Sequence, residues 1–344
     1  MEKIIGVTNV LYSDEIKSQA LFFDSLTHPL ARTYHAELEF QDIGMDAKLR
    51  DEVSWLFENG IFIDVTDKAG FTPEKLFYSL MLPLSEGINV KDIENQLDVF
   101  VENTKKWSST TKMAKVRSSS QILVHPTGMF VLPDDKDPRK RVENMFGLMD
   151  NTITPTARLL ATWLRKYKNV NAYPVLTEFT SEFSKPANFH KEHIADTKTD
   201  VLNIIIKEMP KPDKSVSWEQ IIDFRNDTDS QGKILALRNW INKTARSGAT
   251  YLEIQDELHW LLYDYERHLK LHKMKHNTGT LEAIVVTSAE LLEDIAKLSL
   301  GDAAKKIFSV RHRQVELLES EMENPGAEVA YIYKAKNKFS NKKG

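Results

Sequence analysis

The residues best suited to chemistry fall into four groups. His190, Glu192, His193, Asp196 and Asp200 lie close together, and imidazole with carboxylate is the ligand set that suits zinc, manganese or iron. On a helix, His193 and Asp196 share a face with Asp200 one turn further on. The spacing matches no defined motif such as H-E-x-x-H, and a solvated polar segment after Pro186 is the favoured alternative. His268 and His272 stand one turn apart, with His276 beyond them and Asp264 nearby, and such a pair can chelate a metal or titrate near neutrality. The apolar seam Leu258, Leu261, Tyr265 runs into them, so they also read as the polar end of a packed helix face.

Asp24 follows Leu21-Phe22-Phe23 and Asp64 follows Ile61-Phe62-Ile63, each a carboxylate at the end of an apolar run. Carboxylates at strand ends are where α/β hydrolases hold magnesium against phosphate, provided two or three acids converge. Aspartates that only cap the following turn are the commoner case. Between Lys105 and His125 there is no acidic residue, and Lys105, Lys106, Lys112, Lys115 and Arg117 alternate with Trp107, serines and threonines. That pattern suits a phosphate-contacting loop with one stacking aromatic, or an exposed connecting loop, and the second is favoured. Arg158, Arg165, Lys166 and Lys168 around Trp163 and Tyr167 read as a solvated helix face.

Composition narrows the field. The 46 basic and 50 acidic residues leave a formal charge of −4, so no global positive field draws the chain to phosphate or anionic lipid. The absence of cysteine excludes thiolate nucleophiles, disulfides and cysteine-ligated metal. Thirteen glycines include neither a Walker loop nor a G-x-G-x-x-G turn, and no nucleophile elbow is present. No stretch approaches the roughly 20 apolar residues of a membrane span or has the form of a signal peptide.

The elements that would position these groups read as a mixed α+β and α/β fold. Ile4–Leu11 and Ala20–Leu26 read as strands, 46–58 as a helix closed by Asn59-Gly60, and Ile61–Ile63 as a strand. Thr72-Pro73 opens a helix, Val90–Thr104 is amphipathic, and Ile122–Val124 and Met129–Leu132 flank the turn at His125–Gly128. Asp137-Pro138 and Thr154-Pro155 each signal a helix start, whereas Tyr173–Phe183 and Val201–Lys207 have strand character.

The prolines of Met209–Asp213 place a boundary after an N-terminal mixed α/β domain, 1–212, with a small sheet. A C-terminal antiparallel helical bundle follows over 213–326, its helix starts marked by Ser217 with Gln220 and Thr250 with Glu253. Its second helix, carrying Leu258, Leu261, Leu262, Tyr265 and Leu269, is expected to turn at Asn277-Thr278-Gly279 into another, and a last helix spans 302–323. A short strand at Ile284–Thr287 is the alternative to the longer helix there. The segment 327–334 reads as a strand returning to the first sheet, and 335–344 as a mobile basic tail.

By elimination, the chain reads as a soluble, cytoplasmic, non-catalytic interaction or regulatory protein, fitting an accessory component of a bacterial multi-protein system. Its expected partner is a protein bound through the helical domain, without a membrane, without a cofactor and with nucleic acid not favoured. The alternatives are a metal-dependent phosphodiester or phosphoester hydrolase, which alone needs a divalent metal, and a nucleic-acid-binding accessory protein.

Overall fold

A β-strand of four residues, β1 (Ile5–Thr8), is buried at every position and forms the middle of a parallel sheet. The computed structural model that contains it describes residues 3–10, 14–30, 47–85, 87–105, 115–116, 120–125, 128–133, 138–175, 197–271, 274–277, 280–283 and 326–340. The described residues are mostly helical with this small three-stranded parallel sheet. They fall into two compact units, Met1–Ile194 and Ala195–Gly344. No helix among the described residues is long and apolar enough to cross a membrane.

In the first unit, helix α1 (Asp14–Phe22) connects β1 to β2 (Ser25–Thr27), and the sheet order is β2-β1-β6, with β6 at Ala172–Val175. Ile5 pairs with Ser25 on one side and Ala172 on the other. The strand expected over Ala20–Leu26 is corrected: its first half is the end of α1. Every residue from Ile16 to Phe22 is buried, including Lys17, Ser18 and Gln19. A helix enclosed on all sides shows no polar stripe, so its apolar run is indistinguishable from a buried strand by periodicity. The run Ile61–Ile63 contributes a single parallel bridge, Phe62 to Leu26.

Helices α2 (Ala47–Glu58), α3 (Thr66–Ala69), α4 (Pro73–Ser85), α5 (Val90–Asn95) and α6 (Leu97–Lys105) follow. The amphipathic stretch 90–104 is thus two helices, broken at Gln96. Strands β3 (Lys115–Val116), β4 (Ser120–His125) and β5 (Gly128–Pro133) form an antiparallel sheet whose tight pair is the expected hairpin at His125–Gly128. Helix α7 (Pro138–Lys168) is continuous through Thr154-Pro155, so that pair is interior and not a second start. Its residues Leu160, Trp163 and Leu164 join Val7, Leu76, Leu80, Leu97 and Val101 in the core.

The second unit contains α8 (Thr197–Glu208), α9 (Trp218–Asn226), α10 (Thr228–Thr244) and α11 (Tyr251–Leu271). A strand pair follows, β7 (Met274–Asn277) with β8 (Thr280–Ala283), then a 3-10 turn (Ala327–Val329) and α12 (Ala330–Phe339). Three expectations are corrected here. Val201–Lys207 is helical: Val201, Leu202, Ile204 and Ile205 are buried at helical spacing, and packing overrides the β preference of isoleucine. The turn at Asn277 closes a β-hairpin, with Asn277 opposite Thr280, and does not join two helices. The returning strand and the first part of the basic tail are instead the 3-10 turn and α12, in which Tyr331, Ile332, Lys334, Ala335 and Phe339 are buried, and 341–344 lie outside the described residues. Residues 209–213 fall within this unit, and the helix expected over 302–323 lies outside the described residues.

Both anticipated capping boxes are present. Ser217 accepts from Gln220 N–H at 3.4 Å while Gln220 Oε1 accepts from Ser217 N–H at 2.9 Å. Glu253 Oε2 accepts from Thr250 N–H at 2.7 Å, and Thr250 Oγ1 accepts from Glu253 N–H at 3.4 Å. Each box satisfies backbone donors that a helix start leaves unpaired.

Candidate functional site

The parallel register separates the two acids that a magnesium site would need. Asp24 precedes Leu26 by two residues and Asp64 follows its bridge partner Phe62 by two, so they lie at opposite ends of neighbouring segments. At about 3.3 Å per residue the offset along the strands is roughly 13 Å. Each acid serves the backbone where it stands. Asp24 Oδ2 accepts from Ile4 N–H at 2.7 Å, and Asp64 Oδ1 accepts from Thr66 N–H at 2.8 Å at the start of α3.

At the carboxyl edge of the sheet, where ligands usually bind in open α/β folds, stand Thr8, Asn9 and His28. Asn9 Nδ2 donates to Thr154 Oγ1 at 2.9 Å, tying the end of β1 to α7. The imidazole of His28 is buried, and its Nδ1 accepts from Leu30 N–H at 3.0 Å. Burial lowers its pKa from 6.5 to about 3, against the opposing effect of a hydrogen bond with the Asn9 backbone. A ring held neutral and bonded on both sides locks two strand ends together; it is a poor proton carrier. Nothing in the sequence marks His28, because its burial and its Asn9 partner depend on a distant segment.

The basic and histidine groups are placed as follows. Lys105 Nζ pairs with Glu102 at 2.6 Å and lies 5.3 Å from the Trp163 ring. Lys115 is in β3, while Lys106, Trp107, Lys112 and Arg117 lie outside the described residues. The helix face around Trp163 is not simply solvated. Trp163 is buried, donates to Ala69 O at 3.0 Å and stacks on Tyr167 at 4.7 Å, and buried Arg158 pairs with Glu94 at 2.7 Å. Asp200 sits in the first turn of α8 and half-buried His268 on α11, whereas His190, His193, Asp196 and His272 lie outside the described residues. Among the described residues no cluster of histidine and carboxylate side chains could hold a metal ion.

Charge is concentrated instead in the second unit. Lys334 is wholly enclosed and pairs with Asp227 and, at 2.7 Å, with Asp229, which also holds Lys233. Desolvation pushes the pKa of both aspartates up, but the hydrogen bonds and charge of Lys334, joined by the Ser230 donors at Asp227 and by Lys233 at Asp229, hold them below the usual carboxylate range. Glu208 is lowered in the same way against its own burial, by Lys336 at 2.7 Å and His259 at 2.9 Å.

The outward face of α11 differs from all of these. Its inward stripe, Leu258, Leu261, Tyr265 and Leu269, is buried as the spacing predicts. On the opposite side Leu252, Trp260 and Tyr263 are 70%, 56% and 64% exposed. At 3.6 residues per turn these three project along one stripe with exposed Asp256 between them and Arg267 at its end. Such a stripe offers two large aromatic surfaces bracketed by opposite charges. Compared with known proteins, the chain matches no family model, no curated protein and no solved structure.

Proposed function

We propose that this is a cytoplasmic, non-catalytic interaction protein whose helical unit, an antiparallel bundle, binds a protein partner through the outward face of α11. The observation that carries the reading is the joint exposure of Leu252, Trp260 and Tyr263 on one helix face. Single exposed apolar residues are ordinary on a soluble surface, but two exposed aromatics one turn apart, in line with an exposed leucine, support an interaction site. Tryptophan and tyrosine dominate binding energetics because each covers a large area with few torsions to freeze. Burying the exposed half of each ring contributes roughly 2–3 kcal/mol at about 25 cal/mol per Å². The first unit supports the α11 reading indirectly, since its edge imidazole is committed to holding strands.

The test is site-specific photo-crosslinking in the source cells, with a photoreactive phenylalanine analogue at position 260 or 263 and a control at exposed Val99. Adducts to a second polypeptide at 260 and 263 but not at 99 are expected. No adduct at either α11 position, in a protein shown to be folded, would overturn the reading.

A further inference from the structure

We infer that the polypeptide docked on this face is a second copy of the same chain, with the two α11 helices antiparallel about a two-fold axis; the inference rests on the interaction reading above. The exposed positions Asp256, Trp260, Tyr263 and Arg267 follow one another at spacings of four, three and four, the spacing of a helix-pairing seam. A two-fold axis perpendicular to the helix, midway between positions 261 and 262, is equidistant from Trp260 and Tyr263. It is also equidistant from Asp256 and Arg267.

An isologous contact therefore sets Trp260 against Tyr263 of the second copy and Asp256 against Arg267 of the second copy, each twice. Aromatic meets aromatic and acid meets guanidinium. Parallel alignment would instead oppose Asp256 to its own copy and Arg267 to its own copy, so the charges select the antiparallel orientation.

The flanking charges are already committed within the unit. Glu257 accepts from Trp240 Nε1 at 3.2 Å, His259 pairs with Glu208, and Asp264 is nearly enclosed beside Arg267 at 2.8 Å. The Arg267 side chain remains 60% exposed, and its fork of five donors can serve a second carboxylate without giving up the first. A contact of one helix face on another lies at the small end of specific interfaces, so the dimer is expected in the micromolar range.

The experiment measures the mass of the full chain by sedimentation and native mass spectrometry from about 1 to about 300 μM, the range that spans such a contact. Wild type should pass from monomer to dimer, and Trp260→Ser should remain monomeric. Asp256→Arg and Arg267→Asp should each weaken dimerisation at least tenfold, since each sets like charges together twice. Mixing those two single variants should restore a heterodimer, identified by isotope labelling of one of them, because every charge then meets its opposite. That recovery requires folded proteins, and the orientation is read from the double variant Asp256→Arg/Arg267→Asp, which sets opposite charges together only in the antiparallel contact and should dimerise like wild type.

A wild-type chain that stays monomeric throughout, a dimer indifferent to these substitutions, or a mixture that fails to recover would each overturn the inference. A crosslink from position 260 to a different polypeptide, with the purified chain monomeric, would leave the interaction reading standing and remove only the second copy.

Discussion

His28 in the first unit and Lys334 in the second are both buried titratable side chains, and the two units accommodate them in opposite ways. The first unit keeps its imidazole uncharged and satisfies the ring with the Leu30 N–H and the Asn9 backbone. The second keeps an ammonium group and satisfies it with Asp227 and Asp229, at the start of α10, and with the Phe224 ring 5.5 Å away. A neutral group costs little to bury and ties together only what it touches. A buried charge needs its counter-charges in place, and so makes the seating of α12 depend on the start of α10. The glycines show the same contrast. A Cβ at Gly6 would meet side-chain atoms of Phe23 and Leu26 at 2.7–2.9 Å, whereas one at Gly326 would meet the backbone oxygen of Leu261 at 2.6 Å.

The strongest way to break the comparison is therefore Gly326→Ala. Gly326 has φ +98°, a conformation that L residues rarely adopt, and strain and overpacking together should cost roughly 3–5 kcal/mol. Gly6→Ala should cost about 1–3 kcal/mol, from overpacking alone. Denaturant unfolding of both variants, with hydrogen exchange to assign the loss to one unit, checks the order; equal costs would show that the α11 backbone yields as readily as a side chain.

Next comes Lys334→Met, which keeps the aliphatic volume and removes the charge. Breaking a buried pair usually costs 3–5 kcal/mol, and about 3 is expected because both carboxylates keep some contact with water. Exchange should accelerate in α12 and at the start of α10 and leave α8 nearly unchanged. A loss below about 0.5 kcal/mol would show the ion pair to be replaceable by packing.

The two units should also separate by pH. The folded-state pKa of His28, about 3, lies below the unfolded value of 6.5, so the unfolded chain binds the extra proton and stability falls as pH drops below 6.5. At pH 5 the difference is about 1.5 pKa units, or about 2 kcal/mol. The carboxylates Glu208, Asp227 and Asp229 are lowered in the same direction, but their contribution is lost only as pH falls through the carboxylate range and below. Between pH 7 and 5, hydrogen exchange should thus report weakening in the first unit while the carboxylate clusters of the second keep their contribution. His28→Gln should flatten the response of the first unit, and an unchanged slope would assign it to another group.

What could be read from the sequence follows the range of the interaction responsible. The capping boxes at Ser217 and Thr250 and the stripe Leu258, Leu261, Tyr265, Leu269 are local, set by residues within a few turns, and the structure has them where the spacing puts them. Helices α1 and α8 have buried residues on too many sides to show a polar stripe, and their β-branched or aromatic runs imitate strands. Lys334 reads as the end of a returning strand bordering a basic tail, because lysine is ordinarily exposed, and only the distant Asp227 and Asp229 explain its burial. Of the candidate sites, the Asp24 and Asp64 pairing depended on a register that no local pattern encodes. Trp260 and Tyr263 were visible throughout, but their exposure became informative only once the opposite face of α11 was shown to be filled.

The smallest expected effect concerns the start of that same helix. Thr250→Ala removes the hydroxyl that accepts from Glu253 N–H and donates to Glu253 Oε2 at 2.8 Å, leaving only the bond from Thr250 N–H to the glutamate. Losing a threonine cap typically costs about 1 kcal/mol, and the full exposure of this box argues for the lower half of that effect, since water replaces the lost partner. The Glu253 pKa is lowered first by the backbone bond and then by the side-chain bond from Thr250. Its contribution is therefore present above the ordinary glutamate range and is lost as pH falls through the lowered value. Thr250→Ala should raise that pKa part of the way back, readable by carbon-detected NMR of the glutamate carboxyl. Thr250→Ser, which keeps the hydroxyl, should not. Because α11 carries both the buried stripe and the outward aromatic face, the substitution should fray its first turn around Leu252 without altering dimerisation centred on positions 260 and 263. A change in dimer affinity as large as that of Asp256→Arg would move the centre of the contact toward the start of the helix.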